Sequence, residues 1–448
     1  MSRSFVANVN LVFFTQVANR ALAFIVSIMI ARGLGPEVRG DYALFIISVT
    51  LVASLGSLGI GLGSTYFVGK DAYPVRVLLG NSHWLVLVLG AVVAAVLAAV
   101  GLVLEPKAFV EGRSYWLYAF AVPAMLEFTL VTAILVGSER FVAFNVAALS
   151  QVLVLAAGTG AVWLAGAMTL FSVLAVWVFS YAAAAAVALI AIGFSQLTIA
   201  GIFRPDVPVM GKQVRFGLPG QVGNVLQRLN YRLDQYLVAA FRSRAEVGYY
   251  AVAAGVAEAV WWISNAVSLA LLPRLTRMDA ERAGEITPVA CRNTLLMSLI
   301  AAIGIAATAP ITVELLFGAA FSSAVEPIIW LAPGIAALSG TKVLGSYFFS
   351  RERLNLVSVI ALITLGVTII FDLLLIPEFG ISGAAIASSI AYTTSLAVSL
   401  YYYRSLSGND PWACVIPQGR DIELYLNLAR RLRGLSPAPA DSGATPSA

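Results

Sequence analysis

Long apolar runs follow one another along most of the chain, and they constrain its fold more than any other feature. Twelve runs are separated by short loops: 5–34, 42–68, 77–104, 115–136, 142–164, 168–193, 213–241, 247–272, 288–316, 325–349, 354–376 and 381–403. A helix of about 20 apolar residues spans a bilayer and satisfies its own backbone hydrogen bonds. Since 60% of the residues are hydrophobic and 11% are charged, we predict an all-α integral membrane protein with twelve transmembrane helices.

Lysine and arginine are distributed unevenly between the two sides of these spans. With the N-terminus in the cytoplasm, 17 of the 28 basic residues lie on the inner side, 6 on the outer side and 5 deeper within spans. Basic residues favour the cytoplasmic side of a membrane. We therefore predict that both termini are cytoplasmic. The net charge of +5 then reflects topology, and no nucleic-acid partner is expected.

The first two spans resemble the seventh and eighth when the chain is shifted by 208 residues. The shift pairs Arg20 with Arg228 and Gly40 with Gly248. Because six is an even number, both halves enter the membrane from the same side, so the repeats are parallel, as in transporters that hold substrate between two halves. The predicted organisation is a six-helix bundle (1–193), a cytoplasmic linker (194–212), a second six-helix bundle (213–405) and a cytoplasmic tail (406–448).

A polar stripe interrupts the seventh span. Its members recur at steps of three and four and share one helix face: Gln221, Asn224, Arg228, Tyr231, Arg232 and Gln235. A guanidinium at mid-depth costs about 2.5–3.5 kcal/mol on insertion scales, so it faces a cavity or a partner. The stripe favours a water-filled cavity that binds an anion, to which Arg20 contributes from a similar depth. In the alternative, these arginines pair with acids on neighbouring helices.

Further charges within the spans are weaker candidates. Lys342 lies nearer the cytoplasmic end, and snorkelling to the interface is an equal alternative to substrate binding. Glu127 and Glu258 lie near mid-span and are candidates for a coupling-ion site, or they neutralise arginines. Asp234 faces away from Arg232 on an ideal helix. Three acids near the outer ends are expected to be wetted: Glu314, Glu326 and Asp372.

No motif for catalysis or metal binding is present in the sequence, so we expect neither an enzyme nor a cofactor. His83, the single histidine, is expected at the membrane interface. Cys291 and Cys414 are far apart in sequence and indicate no disulfide framework or metal site. The Trp261–Trp262 pair either stacks on sugars or packs in the core, and packing is favoured.

The tail has two parts. Residues 421–433 can form an amphipathic helix on the cytoplasmic surface, with Asp421 as its cap and its arginines toward anionic lipid. Residues 436–448 are expected to be disordered.

Three segments carry a resemblance to a known family. They are GPEVRGDYAL (35–44), RLDQYLVAAFRSRAEVGYYAVAAGVAE (232–258) and GISGAAIASSIAY (380–392). Together with the twelve spans and parallel halves, they resemble the polysaccharide-exporter branch of the multidrug/oligosaccharidyl-lipid/polysaccharide (MOP) flippase superfamily. The likeness covers about residues 5–405, and its motifs are diffuse.

The resemblance implies a V-shaped pair of bundles with a central cavity that opens alternately to the two sides. It implies a transporter of the bacterial inner membrane that moves undecaprenyl-diphosphate-linked oligosaccharide to the periplasmic leaflet without covalent chemistry. Ion coupling is a separate expectation, and the sequence does not distinguish H⁺ from Na⁺. Other polysaccharide-assembly membrane proteins are potential partners. Family members use cationic cavity residues for the anionic substrate, a role that falls here on Arg20, Arg228 and Arg232.

Two other functions compete with this one. A multidrug cation antiporter of the same superfamily should carry acids rather than arginines in its cavity. A membrane-embedded polysaccharide polymerase or glycosyltransferase needs a sizeable catalytic loop, and no loop here has room for one.

Overall fold

The structure, a computed structural model, describes residues 3–103, 112–193, 205–419 and 421, and these form helices joined by short turns. The helices are α1 (Arg3–Gly56), α2 (Ile60–Gly69), α3 (Val75–Val103), α4 (Tyr118–Gly137), α5 (Phe141–Leu164), α6 (Leu170–Ile192), α7 (Val207–Phe241), α8 (Arg244–Ala257), α9 (Trp261–Thr276), α10 (Ala280–Phe317), α11 (Val325–Ser350) and α12 (Leu354–Ser407). Short 3₁₀ turns cover Gly112–Leu117, Glu258–Val260, Ala319–Ala324 and Pro411–Cys414.

The all-helical membrane fold is confirmed. Nine helical segments of the described chain are long and apolar enough to cross a membrane. The segment α7 is not among them, because its polar residues lower its hydropathy. The first two predicted spans share α1, which kinks at Gly35 (φ 76°), and the last two share α12, which kinks at Gly380 (φ 57°). The number of twelve crossings and the internal repeat stay predictions.

The helix α7 begins earlier than predicted. Its first residue is Val207, whereas the apolar run begins at 213. Asp206 caps the helix, since its Oδ1 accepts from Val209 N at 3.0 Å, and Pro208 occupies the first turn. Both residues are typical of helix starts. Much of the described end of the predicted linker is therefore helix.

Contacts divide the chain into two compact units. The first unit comprises Met1–Ala257, Ile305–Leu331 and Ala361–Ala391, and the second comprises Glu258–Gly304, Ala332–Ile360 and Tyr392–Ala448. Each has its own apolar core. Each unit combines three separate stretches of the chain, so the two units do not correspond to the predicted six-helix halves. The division into those halves stays a prediction.

Backbone-to-backbone contacts between glycines fix helix positions in the first unit. A Cβ on Gly40 would lie 2.0 Å from Arg244 O, and a Cβ on Gly248 would lie 2.0 Å from Pro36 O. The chain beyond the α1 kink therefore packs directly on the start of α8. At the other end of α7, a Cβ on Gly217 would lie 1.9 Å from Gly59 O. These glycines permit close packing, and α7 continues through Gly217 without a break.

Candidate functional site

A cleft of about 190 Å³, lined by polar residues on one side and by small and apolar residues such as Leu62, Met125 and Leu130, lies in the first unit between α1, α2, α4 and α7. The helix α7 contributes Gln221, Asn224 and Arg228, three members of the predicted stripe. The facing helices and the turn after α1 contribute a set of hydroxyls: Thr50, Ser54, Ser57, Thr65 and Thr129. The cleft therefore offers one cation surrounded by amide and hydroxyl groups.

The amides in the cleft are held in place, whereas Arg228 is not. Gln221 Nε2 donates to Ser54 O at 2.6 Å and to Ser54 Oγ at 3.0 Å. Asn224 Nδ2 lies 3.5 Å from Gln221 Oε1. Arg228 is exposed and makes no hydrogen bond or ion pair with any residue that the structure describes. Its guanidinium is available to a bound anion.

The remaining stripe members lie outside the cleft lining. Tyr231 Oη accepts from Gln227 Nε2 at 2.5 Å, and Arg232 NH1 donates to Tyr231 O at 3.1 Å. Gln235 is buried. The stripe divides because the C-terminal half of α7 is packed within the first unit, while the preceding part of α7 borders the cleft. Arg20 is exposed and also does not line the cleft, so its share in a common site stays a prediction.

A second group of cationic and aromatic side chains adjoins Arg228. Arg228 interacts electrostatically with Arg232 and with Tyr181. Arg39 interacts in the same way with Arg232 and Tyr42. Tyr42 also interacts with Tyr181. We call these five residues the arginine–tyrosine cluster. Arg39 falls between the first two predicted spans, 5–34 and 42–68, where an exposed side chain is expected, but it is 8% exposed and buried on α1. Arg39 lies three residues before Tyr42, so both side chains lie on one helix face. This spacing could have indicated their contact from the sequence alone.

Two carboxylates are buried in the first unit. Asp234 Oδ2 accepts from Tyr250 Oη at 2.6 Å and from Ser388 Oγ at 3.3 Å. Asp372 on α12 is 0% exposed, and neither carboxylate oxygen has a hydrogen-bond partner among the described residues. Asp234 and Asp372 interact electrostatically.

The expectation that Asp372 is wetted was therefore wrong, whereas Glu314 and Glu326 are exposed as predicted. Thr364, Thr368 and Asp372, all buried, recur at steps of four. They form a polar stripe on α12 that could have indicated a functional face.

A histidine and a glutamate meet between α3 and α4. His83 Nδ1 lies 2.8 Å from Glu127 Oε1. His83 is buried, because its helix packs with α4. Its expected position at the depth of the membrane interface stays a prediction. A proton on Nδ1 makes this contact a hydrogen bond, and Nε2 then has no partner in the described part of the chain.

In the second unit, Lys342 lies in a polar and aromatic setting. Its Nζ is 4.3 Å from the ring centre of Trp261 and donates to Asn265 Oδ1 at 3.2 Å. Trp261 is buried and donates its Nε1–H to Ile335 O at 3.2 Å. Packing is therefore the role of Trp261, as favoured, and the ring holds the ammonium group by a cation–π contact. Glu258 is half-buried at the start of a 3₁₀ turn.

Asp421 forms a buried ion pair, and its predicted role as a helix cap lies with residues outside the described range. Its carboxylate accepts from Arg292 Nε at 2.6 Å and Arg292 NH2 at 2.8 Å. It also accepts from Gln418 N at 2.8 Å. Hydrogen bonds from Arg292 lower the pKa of Asp421 to about 2. The rest of the expected amphipathic helix, and the expected disordered segment 436–448, lie outside the described residues.

The two cysteines are not separate in space. Cys291 and Cys414 are both buried free thiols in one apolar cluster of the second unit. Because they are 123 residues apart in sequence, spacing alone could not indicate this proximity.

The sequence was compared with known proteins. A family profile described as polysaccharide biosynthesis protein matches residues 5–279. A curated relative, the probable low-salt glycan biosynthesis flippase Agl15 of Haloferax volcanii, is 22% identical over 177 residues. That match covers 39% of this chain and 38% of the relative, so the chain spans well under half of that protein.

Two solved structures share the fold. An inward-facing multidrug resistance MATE family transporter of the MOP superfamily has a TM-score of 0.72 and 14% identity, with 87% of this chain and 94% of that chain covered. The lipid II flippase MurJ in an inward closed conformation has a TM-score of 0.70 and 14% identity, with 94% and 92% covered. At this identity the likeness concerns the fold alone.

Proposed function

Because this chain belongs to the polysaccharide biosynthesis protein family, we propose that it is a flippase for an anionic lipid-linked oligosaccharide. The substrate is a polyprenyl diphosphate, of the undecaprenyl type that the family resemblance implies, and it moves from the cytoplasmic to the outer leaflet of the bacterial inner membrane. The observation that carries this proposal is Arg228, a cation with no carboxylate partner among the described residues, in a cleft that also holds hydroxyls and amides.

The cleft suits the charged group of such a lipid. A guanidinium keeps its charge when desolvated and can hold two phosphate oxygens with parallel N–H groups. The hydroxyls of Thr50 and Ser54 can donate to phosphate or sugar oxygens without adding charge, whereas those of Ser57, Thr65 and Thr129 already donate to backbone carbonyls. About 190 Å³ accommodates the phosphates and an adjoining sugar rather than a whole oligosaccharide. Arg232 adds to the positive electrostatic field, and Arg20 is predicted to do the same. Lys342, in the second unit, is a further candidate for substrate binding.

Transport of an anion against its gradient requires an energy source, and buried acids supply candidate sites for a coupling ion. Two interacting carboxylates in a low-dielectric interior favour uptake of a proton or a small cation, because both cannot stay charged alone. Asp372 meets this condition, because it is buried in the field of Asp234 and its carboxylate has no hydrogen-bond partner among the described residues. In our proposal Asp372 binds H⁺ or Na⁺, and the His83–Glu127 pair is a second proton site. Glu258 remains a weaker candidate.

The multidrug antiporter is the alternative that shares this fold. An organic cation would approach Arg228 against charge repulsion, whereas a diphosphate is attracted. The geometry therefore favours the anionic substrate. The relatives are named as flippases and transporters, and the proposed activity involves movement of the lipid without covalent change.

A reconstitution experiment tests the proposal. Purified protein is placed in vesicles with a fluorescent polyprenyl-diphosphate disaccharide, and accessibility of the lipid to an external quencher is followed over time. We expect wild-type protein to speed relocation of the lipid with its mass unchanged, and Arg228→Ala to abolish the effect. Wild-type vesicles that relocate a fluorescent organic cation but not this lipid would favour the antiporter. A changed lipid mass would point to an enzyme.

A further inference from the structure

A second cavity, of about 670 Å³, lies in the first unit at the C-terminal end of α7. Its wall is formed by the turn into α8, the 3₁₀ turn before α11, the start of α11 and the kink of α12. Sites for small molecules usually have volumes of about 300–1,000 Å³. Arg228 lies about 20 Å from the end of α7 at Phe241, at 1.5 Å per residue. The cavity is therefore separate from the cleft at Arg228 and lies at the end of α7 that the topology prediction places outside.

The kink of α12 gives the cavity a fixed wall. Gly380 has a φ of 57°, in the left-handed region that favours glycine. Arg242 Nε donates to Ile376 O at 3.1 Å and its NH2 donates to Pro377 O at 2.8 Å, so Arg242 satisfies carbonyls next to the kink. A Cβ on Gly380 would lie 3.0 Å from Glu246 Oε2. The glycine thus admits a carboxylate to the wall, and two of the three side-chain nitrogens of Arg242 are engaged by the backbone.

The cavity presents hydrogen-bonding groups that the protein itself does not use. Glu378 is exposed and makes no hydrogen bond or ion pair with any described residue. Glu326, in contrast, accepts from Trp330 Nε1 at 3.3 Å. Several lining hydroxyls also make no hydrogen bond within the described chain: those of Tyr249, Ser322, Ser323 and Ser382. A ligand here meets a free carboxylate acceptor among hydroxyls that both donate and accept.

Two aromatic rings add apolar surface to the same cavity. Phe379 is 56% exposed and follows Glu378 directly in the chain. Tyr249 is half-buried, and its ring is held edge-on by Phe321 with the ring centres 6.1 Å apart. Aromatic side chains bury apolar surface and allow hydrogen bonding beside them. A sugar ring matches this arrangement, because it has C–H groups on its faces and hydroxyls around its rim.

The charges of the lining exclude other ligand classes. Three glutamates and one arginine line the cavity, so it repels an anion such as a diphosphate. No group of three or more acids, histidines or cysteines within the described residues could hold a metal ion. The carboxylates are therefore not gathered around one point. An organic cation would be attracted by the charge, but it would leave the free hydroxyls without partners, whereas a sugar uses them.

We propose that this cavity binds a sugar ring that carries no negative charge. Phe379 packs on the face of the ring, and Glu378 accepts hydrogen bonds from its hydroxyls. The inference rests on the proposed function for the origin of the sugar, which is the glycan that the lipid carries, but not for the existence of the site. The cavity then holds the glycan on the side to which the flippase delivers it.

Binding of soluble sugars to the purified protein tests the proposal. The probes are N-acetylglucosamine (neutral), glucosamine (cationic) and glucuronic acid (anionic), and saturation-transfer NMR titrations give their dissociation constants. We expect the first two to bind saturably and glucuronic acid to bind about tenfold more weakly, because its carboxylate meets a negative wall. This comparison needs wild-type protein alone, so it does not depend on the folding of any variant.

Substitutions locate the binding within the cavity. We expect Phe379→Ala and Glu378→Gln each to weaken N-acetylglucosamine by about tenfold, through loss of the ring contact and of a hydrogen bond to a charged acceptor. Phe179→Ala and Glu314→Gln are the matched controls. They remove an exposed ring and an exposed acid that do not line the cavity, and they should bind the sugar as wild type does.

The outcomes separate this inference from the proposed function. Sugar binding that is absent, unchanged in both cavity variants or equally strong for glucuronic acid would overturn the site, even if wild-type protein moves the diphosphate lipid. Sugar binding that depends on Phe379 and Glu378, in a protein that moves no such lipid, would support the site and overturn the proposed function. Binding of tetraphenylphosphonium that Phe379→Ala abolishes, without sugar binding, would assign the cavity to organic cations instead.

Discussion

At the scale of single residues, the sequence supported the most informative prediction and also led to the largest errors. Arg228 was predictable, because a guanidinium in an apolar run is too costly to face lipid. The buried positions of His83 and Asp372 were not predicted, since hydropathy gives depth along a helix and not the neighbour that it faces. A residue such as Asp372, near the end of an apolar run, can be wetted or fully enclosed, and only packing distinguishes the two.

The buried acid Asp372 yields a prediction about coupling. Asp372→Asn removes a carboxylate that has no hydrogen-bond partner in the described chain and keeps the side-chain shape. We expect this variant to be at least as stable as wild type and to lose the dependence of transport on a proton or sodium gradient. The vesicle assay with imposed gradients measures this. Glu326→Gln, an exposed acid, is the control, and retained gradient dependence in Asp372→Asn would exclude a coupling role for Asp372.

The Arg292–Asp421 pair yields a prediction about pH. Arg292 lowers the pKa of Asp421 from 3.8 to about 2. A lowered pKa means that the folded state favours the charged carboxylate, so this stabilisation is complete above about pH 4 and is lost as the pH falls toward 2. Asp421→Asn should therefore increase proteolysis of the tail at pH 7, and the difference from wild type should shrink below pH 4. A difference of constant size at every pH would contradict this role.

At the scale of helices, most positions followed from the apolar runs, whereas their ends and kinks did not. Asp206 and Pro208 mark the start of α7 in the sequence, but they lie in the longest segment between predicted spans, 194–212, which we interpreted as a linker. The contact of Gly40 with α8, unlike the start of α7, has no marker in the sequence. A glycine between two spans is equally compatible with a turn or with close packing, and the sequence does not distinguish them.

Close packing at Gly40 and Gly248 can be tested by small substitutions. An added methyl group would meet a backbone oxygen 2.0 Å away in each case, and overpacking typically costs about 1–3 kcal/mol. We expect Gly40→Ala and Gly248→Ala each to lower the thermal midpoint. Gly255→Ala on the same helix as Gly248 should not, because nothing lies within 4 Å of its added Cβ. Equal midpoints for all three variants would show that this end is not tightly packed.

At the scale of the molecule, composition alone predicts a helical membrane protein, because a water-soluble protein of this length does not contain so large a fraction of apolar residues. The loop charges predict its orientation, which helix packing does not report. Single cysteines at Ala280 and Ser322, both exposed, test the orientation in a variant with Cys291 and Cys414 replaced by alanine. A membrane-impermeant thiol reagent should label position 322 in intact cells, and position 280 only after permeabilisation. The reverse pattern would invert the topology.

The central claim is that Arg228 and its neighbours recognise a diphosphate, and a direct binding measurement tests it best. Dissociation constants of the purified protein are measured for a polyprenyl diphosphate, the matching monophosphate and the uncharged polyprenol. We expect the diphosphate to bind about tenfold more tightly than the monophosphate, and Arg228→Ala to lose about tenfold for the diphosphate alone. Equal binding of all three lipids, unchanged in Arg228→Ala, would show that the protein recognises the hydrocarbon chain and not the phosphates.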